Sequence, residues 1–118
     1  MNRLKELKVW QKSVELAVKV YEITRTFPSE EKYSLTNQIN RCAVSIPSNI
    51  AEGAGRNNPK EFNNFLGIAA GSAYELQTQL IIANKVGYLS SEAVEQLEMS
   101  IVEIQKMIYN LQKTLNNQ

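Results

Sequence analysis

The chain contains neither histidine nor aspartate, and its twelve acidic residues are all glutamate. Those absences exclude a Ser-His-Asp triad, any histidine-ligated metal site and histidine general-base chemistry. The single cysteine, Cys42, excludes an internal disulfide and a Cys-rich zinc site. Five glycines and three prolines in 118 residues leave little material for a loop-rich fold. No apolar run approaches the roughly 20 residues needed to cross a bilayer. The basic start, with Arg3, Lys5, Lys8 and Lys12, is not followed by an apolar stretch of signal-peptide type. A free thiol without a secretory signal points to a reducing, cytoplasmic location. With glutamate as the only acid and no metal or cofactor motif, the chain is expected to be non-enzymatic, cofactor-free and metal-free.

Hydrophobic residues make up 43% and charged residues 21%, a balance that supports a packed core rather than disorder. The length suits one domain, 1–118. Net charge is +1 but unevenly placed: residues 1–60 carry ten basic and six acidic side chains, and residues 61–118 carry three basic and six acidic. Such asymmetry marks either an electrostatic partner or complementary helices within one bundle.

Four apolar patterns run at helical period. The first spans about 7–27 and carries two adjacent stripes: Trp10, Val14, Ala17, Val18 and Tyr21, then Val9, Leu16, Val20, Ile23 and Phe27. One stripe suffices for packing in a small bundle, so the second predicts burial against another subunit. Pro28 fits a helix stop at its predecessor. The second pattern, 35–53, keeps Leu35, Ile39, Cys42, Ala43, Ile46 and Ile50 in phase across Pro47, which predicts a continuous but kinked helix. Gly53 to Asn57 forms a break. Asn58, Pro59 and Glu61 then give an N-cap, a first-turn proline and a capping-box acid for a helix over 59–86. Gly67 and Gly71 on that helix predict a close backbone approach. Gly87 is placed as a C′ stop. Ser90 opens a fourth helix, 91–115, with Leu89 and Val94 as a staple and three-four spacing from Val94 to Leu115. Asn116, Asn117 and Gln118 are expected to fray. The fold expected is all-α, an antiparallel up-down-up-down four-helix bundle with a kinked second helix.

The segment Ser45-Ile46-Pro47-Ser48-Asn49-Ile50-Ala51-Glu52-Gly53, followed by Gly55-Arg56, resembles the bacterial four-helix-bundle proteins encoded within intervening sequences of 23S ribosomal RNA genes. Further matches are Leu7, Val9-Trp10-Gln11, Leu16-Ala17, Phe27-Pro28, Glu31, Leu35, Gln38 and Arg41-Cys42-Ala43-Val44. On the third helix and last turn they are Glu61-Phe62, Phe65-Leu66, Ile68-Ala69, Gly71-Ser72, Glu75-Leu76, Thr78-Gln79-Leu80 and Gly87-Tyr88-Leu89. Ser34, Asn40 and Gln77 stand where the family usually has glycine, arginine and glutamate. The resemblance implies a four-helix bundle with relatives that assemble as homopentameric rings. It also implies remote similarity to the accessory protein of diversity-generating retroelements, a pentamer that binds nucleic acid and a reverse transcriptase.

Two sets of polar residues stand out. Gln38, Arg41, Ser45, Asn49 and Glu52 form a line on the second helix, with Ser72, Glu75 and Gln79 on the third. They read as a hydrogen-bond network fixing helix or subunit packing, with an Arg41–Glu75 pair, or as a ligand or RNA surface. Lys5, Lys8 and Lys12 share a helical face, and Arg56 and Lys60 flank the third helix, whose N-terminus favours phosphate. These five are the candidate RNA- or DNA-contacting residues, acting without sequence preference. Expected partners are further copies of the chain, a nucleic acid or a protein, and no membrane. A protein-interaction scaffold without a nucleic-acid role is the alternative function.

Overall fold

The computed structural model describes residues 3–117, and every regular element among them is helical. Leu4–Glu6 forms a 3-10 turn, followed by α1 (Lys8–Thr24), a second 3-10 turn at Ser29–Glu31, α2 (Leu35–Gly55), α3 (Pro59–Lys85) and α4 (Ser91–Asn116). The helices follow one another around the bundle. α2 packs most extensively on α3, α3 on α4 and α1 on α2, and a thinner α1–α4 seam closes the circuit. The result is a rod of 46 × 22 × 20 Å.

Caps form where the side chains for them are present. Asn58 Oδ1 accepts from the Glu61 amide at 3.0 Å with Pro59 in the first turn, and Ser90 Oγ accepts from the Ala93 amide at 3.2 Å. Gly87 takes a φ of 90°. The Tyr88 and Gly87 amides then donate to the carbonyls of Ala83 and Asn84, the paired bonds of a Schellman stop. α2 runs unbroken through Pro47.

Four expectations need correction. Helix α1 ends at Thr24 rather than residue 27, because the residue before Pro28 is steered from helical geometry and the chain closes in i→i−3 turns at Thr26 and Phe27. Helix α2 extends to Gly55, and the reversal falls on Asn57 (φ 55°), since asparagine tolerates the left-handed region. The close backbone approach occurs at neither Gly67 nor Gly71. A Cβ at Gly71 would meet nothing within 4 Å, and one at Gly67 only Gln112 Nε2 at 3.8 Å. The approach occurs at Gly53, where α2 presses on Phe62 and Phe65 of α3. Of the residues expected to fray, Asn116 is still helical and Asn117 caps α4, and Gln118 lies outside the described residues.

The buried apolar residues of all four helices form one cluster. Of the two stripes on α1, the one through Val9, Leu16 and Val20 lies in it, with Ala17. Trp10 packs partly buried against this core. Val18 and Tyr21 remain 53% and 45% exposed.

A side-chain lock joins the α1–α2 and α3–α4 turns. The Tyr88 hydroxyl donates to Glu31 Oε2 at 2.8 Å, and Phe27 and Tyr88 rings pack at a centroid distance of 5.7 Å. Glu31 Oε1 accepts from Ser34 Oγ at 2.6 Å and from the Leu35 amide at 3.4 Å, which also caps α2. The Ser34 hydroxyl, then the Tyr88 hydroxyl and the Leu35 amide, hold the Glu31 carboxyl below its usual range. The hydrogen bond to Glu31, then partial burial and the charges of Glu31 and Glu30, push the Tyr88 phenol up. A carboxyl lowered on folding stabilises above its unfolded pKa, and this is lost as pH falls through the folded value. A phenol raised on folding contributes fully below its ordinary value of about 10, and this is lost as pH rises through the folded value. Thermal melts of Tyr88→Phe should therefore show a flatter pH dependence than wild type on both the acid and alkaline limbs. Curves parallel to wild type would show that the lock is not formed.

Candidate functional site

The polar line read on α2 and α3 converges on one cleft between those helices, of about 510 Å3. Gln38, Arg41, Ser45, Ser72, Glu75 and Gln79 all line it, joined by Asn37 and Cys42. Ser45 Oγ and Ser72 Oγ are 2.9 Å apart, and Asn49 Nδ2 supports the pair by donating to Ser45 O at 2.8 Å and Ser45 Oγ at 3.0 Å. The Cys42 thiol donates to the Ser72 carbonyl at 3.1 Å and to Glu75 Oε1 at 3.5 Å. Burial, then the Glu75 charge and its hydrogen bond, push the thiol up to about 12, so it stays protonated at neutral pH. That is the state of a weak donor, not a nucleophile.

The expected Arg41–Glu75 ion pair is absent: both line the cleft, but no contact within 4.0 Å joins them among the described residues. Both side chains are exposed, where water competes for each charge and a pair contributes little. Arg41→Ala should accordingly leave stability within about 0.5 kcal/mol of wild type, instead of the loss expected from breaking a buried pair. Glu52 leaves the line altogether and pairs with Arg56 Nε at 3.2 Å. Gln79 is buried at 9% exposure, and its Oε1 has no hydrogen-bond partner. The participation of Asn37 and Cys42 was not read in advance. Asn37 lies one residue before the polar line, and Cys42 sits in phase with the core.

The five candidate nucleic-acid contacts separate. The turn at Leu4–Glu6 packs on the α2–α3 connection, with Arg3, Leu4 and Leu7 facing Ala54, Gly55 and Asn57 across a shared cleft. That places Lys5, Lys8, Arg56 and Lys60 at one end of the rod. Lys5, Lys8 and Lys60 are exposed. Arg56 is held between Glu52 and Glu61 (Nη1 to Oε1 3.5 Å), with its guanidinium 5.1 Å from the Phe65 ring centre. Lys12 lies farther along α1 and faces Glu103 of α4 at 3.4 Å. These carboxylates come from elements distant in sequence or from the next helical turn, so the basic spacing alone did not reveal them.

Two apolar grooves remain open on opposite sides of the rod. One lies between α1 and α2, lined by Val14, Val18, Tyr21, Val44 and Pro47 among others. The other includes Tyr74 of α3 with Val102 and Tyr109 of α4. It continues into an α4 face carrying Met99 and Met107. Because the helices follow in order around the bundle, the α1–α2 and α3–α4 sides are opposed. No helix among the described residues is long and apolar enough to cross a membrane, and no group of three or more potential metal ligands occurs among them.

The fold has a solved counterpart in a Bacteroides thetaiotaomicron protein of unknown function from the S23 ribosomal protein family. The two share 29% identity and a TM-score of 0.82, over 89% of this chain and 95% of that one. No curated protein matches. Residues 5–110 of the 118 match the 23S rRNA-intervening sequence protein family. The chain belongs to that family.

Proposed function

We propose that this chain is a non-enzymatic cytoplasmic building block that self-associates into a homo-oligomeric ring, a homopentamer by its resemblance to ring-forming bundles, and that the ring offers a weak basic surface to RNA or DNA. The observation that carries self-association is the pair of opposed apolar grooves. Val18 and Tyr21 on one side, and Met99 and Tyr109 on the other, are all at least 45% exposed, and exposed apolar clusters of this kind mark interaction surfaces. Unlike faces on opposite sides favour head-to-tail contact, which closes into a ring when the rotation between copies allows it. Light scattering at tens of micromolar should give a multiple of the 13.4 kDa chain mass. Val18→Glu with Tyr109→Glu should return the monomer. A wild-type monomer at that concentration would overturn the assembly.

Nucleic-acid contact is supported by the clustering of Lys5, Lys8 and Lys60 at one end, which a ring would repeat in every copy. No aromatic side chain is interleaved with them, so binding through phosphates, steeply weakened by salt, is expected over base stacking. Labelled RNA and DNA should bind at low salt and release at physiological salt. Lys5→Glu with Lys60→Glu should abolish binding, whereas reversals at Lys12 or Arg56 act on cations already facing carboxylates. The α4 face, where Met99, Val102 and Met107 lie among charged side chains, favours a second reading, a scaffold for a protein partner. Absence of low-salt binding, or indifference to the double reversal, would decide for that reading.

A further inference from the structure

The two halves of the chain carry charge of opposite sign, and folding leaves most of it uncompensated. Residues 1–60 hold ten basic and six acidic side chains, whereas residues 61–118 hold three basic and six acidic. The ion pairs joining the halves among the described residues are Lys12–Glu103 and Arg56–Glu61. The excess positive charge therefore stays on the α1–α2 side and the excess negative charge on the α3–α4 side. On the α4 face Glu95, Glu98 and Glu103 outnumber Lys106. Glu98 accepts from Gln77, and Glu103 faces Lys12. Glu95 is exposed and has no cation within 4.0 Å among the described residues. On the opposite side Arg25 lines the α1–α2 groove beside Glu22, and it too is exposed with no carboxylate within 4.0 Å among those residues.

The two sides also present their groups in the same order along the rod. The Lys12–Glu103 contact marks one height on both α1 and α4. From there toward the Tyr88 end, α1 carries the exposed Val18 and Tyr21 and then Arg25. Over the same stretch α4 carries Val102 and the exposed Met99 and then Glu95. Each side thus offers two apolar side chains followed by a charge without an ion-pair partner, and those charges are opposite. A closed ring of rods aligned with its axis has no rise from copy to copy, so groups that meet must stand at matching heights. We propose that the α4 face of one copy seats on the α1–α2 groove of the next, with Glu95 of one opposite Arg25 of its neighbour. This rests on the self-association proposed above and specifies its faces and register. The apolar residues supply the attraction, and the charge pair fixes direction and register more than affinity. Contact between like faces is disfavoured, because two α4 faces would set three carboxylates against three, and two α1–α2 sides would set one basic half against another.

The test is light scattering on the full chain across a concentration series at low salt, for wild type, Arg25→Glu, Glu95→Arg and the double variant. Both positions are exposed, and circular dichroism verifies that each variant is helical. Each single reversal should raise the midpoint concentration of assembly about tenfold or more, because it sets like charges across the contact. The double variant should restore it. Glu22→Gln should lower the midpoint, since it removes a carboxylate from the groove that receives the acidic face. An equimolar mixture of the two single variants should assemble better than either alone, because every contact between unlike copies is then matched. A mixture equal to the double variant supports the pairing in a ring of even number. A mixture that falls short of the double variant supports it in an odd ring, where one like contact must remain. Single variants that assemble as wild type, or a double variant and a mixture no better than the singles, would overturn the pairing and leave self-association standing. A wild-type chain that stays monomeric at tens of micromolar would overturn both and leave the α4 face to a different protein.

Discussion

Replacing Gly53 by leucine is expected to lower the melting temperature by roughly 15 °C, from a loss of about 3 kcal/mol. A Cβ at this position would lie 2.8 Å from Phe65 Cβ, 2.9 Å from Phe62 Cδ1 and 3.3 Å from Phe62 Cα. Two of those atoms cannot swing away by rotamer change, because one is backbone and the other is the root of a side chain. The start of α3 would have to move off the end of α2. Alanine should show a smaller loss of about 1–2 kcal/mol, because its better helix propensity offsets part of the clash. Gly55, two residues on, provides the contrast: a Cβ there meets nothing within 4 Å. Gly55→Ala should stabilise by up to about 1 kcal/mol. Thermal melts of the three variants decide the matter. A Gly53→Leu protein melting with wild type would mean that α2 and α3 do not approach as described.

Leu76→Ala should lose about 3–4 kcal/mol, the cost of a large side chain removed from a packed interior together with the cavity it leaves. Leu76 is fully buried at 0% exposure and lies between Glu75 and Gln77 on α3. Six residues on, Ile82 is 46% exposed, and its truncation should change stability by less than about 0.5 kcal/mol. Melts must be compared at equal chain concentration, since self-association would make the midpoint concentration-dependent. Equal losses for the two variants would place α3 in the wrong rotation about its axis.

Much of the architecture was legible from residue order. Periods of three and four placed four helices, and Asn58-Pro59, Gly87 and Ser90 marked ends where local chemistry alone decides. What escaped depends on neighbours supplied by folding. Glycines at 67 and 71 looked like an approach site by spacing, but only the crossing of α2 over Phe62 and Phe65 singles out Gly53. The polar line on α2 and α3 was readable because helical period and one chain reversal bring it together. The Arg41–Glu75 pair was not, because facing positions do not ensure contact at a water-exposed rim. Arg56 and Lys12 read as available cations until Glu61 and Glu103 arrived from other helices.

The thin seam between α1 and α4 has a consequence for how the chain moves. Every other extensive helix–helix packing among the described residues joins neighbours in sequence, so the bundle is a row of hairpins rolled up and fastened along one edge. Contacts of that local kind form quickly, which places the fold among fast folders. The fastening edge is the last to gain its partners, and among its contacts is the half-exposed Lys12–Glu103 ion pair. Parting it unrolls the row without breaking a single hairpin. Exchange of protected amides should therefore begin along the outer faces of α1 and α4, while the α2–α3 pair stays closed until global unfolding.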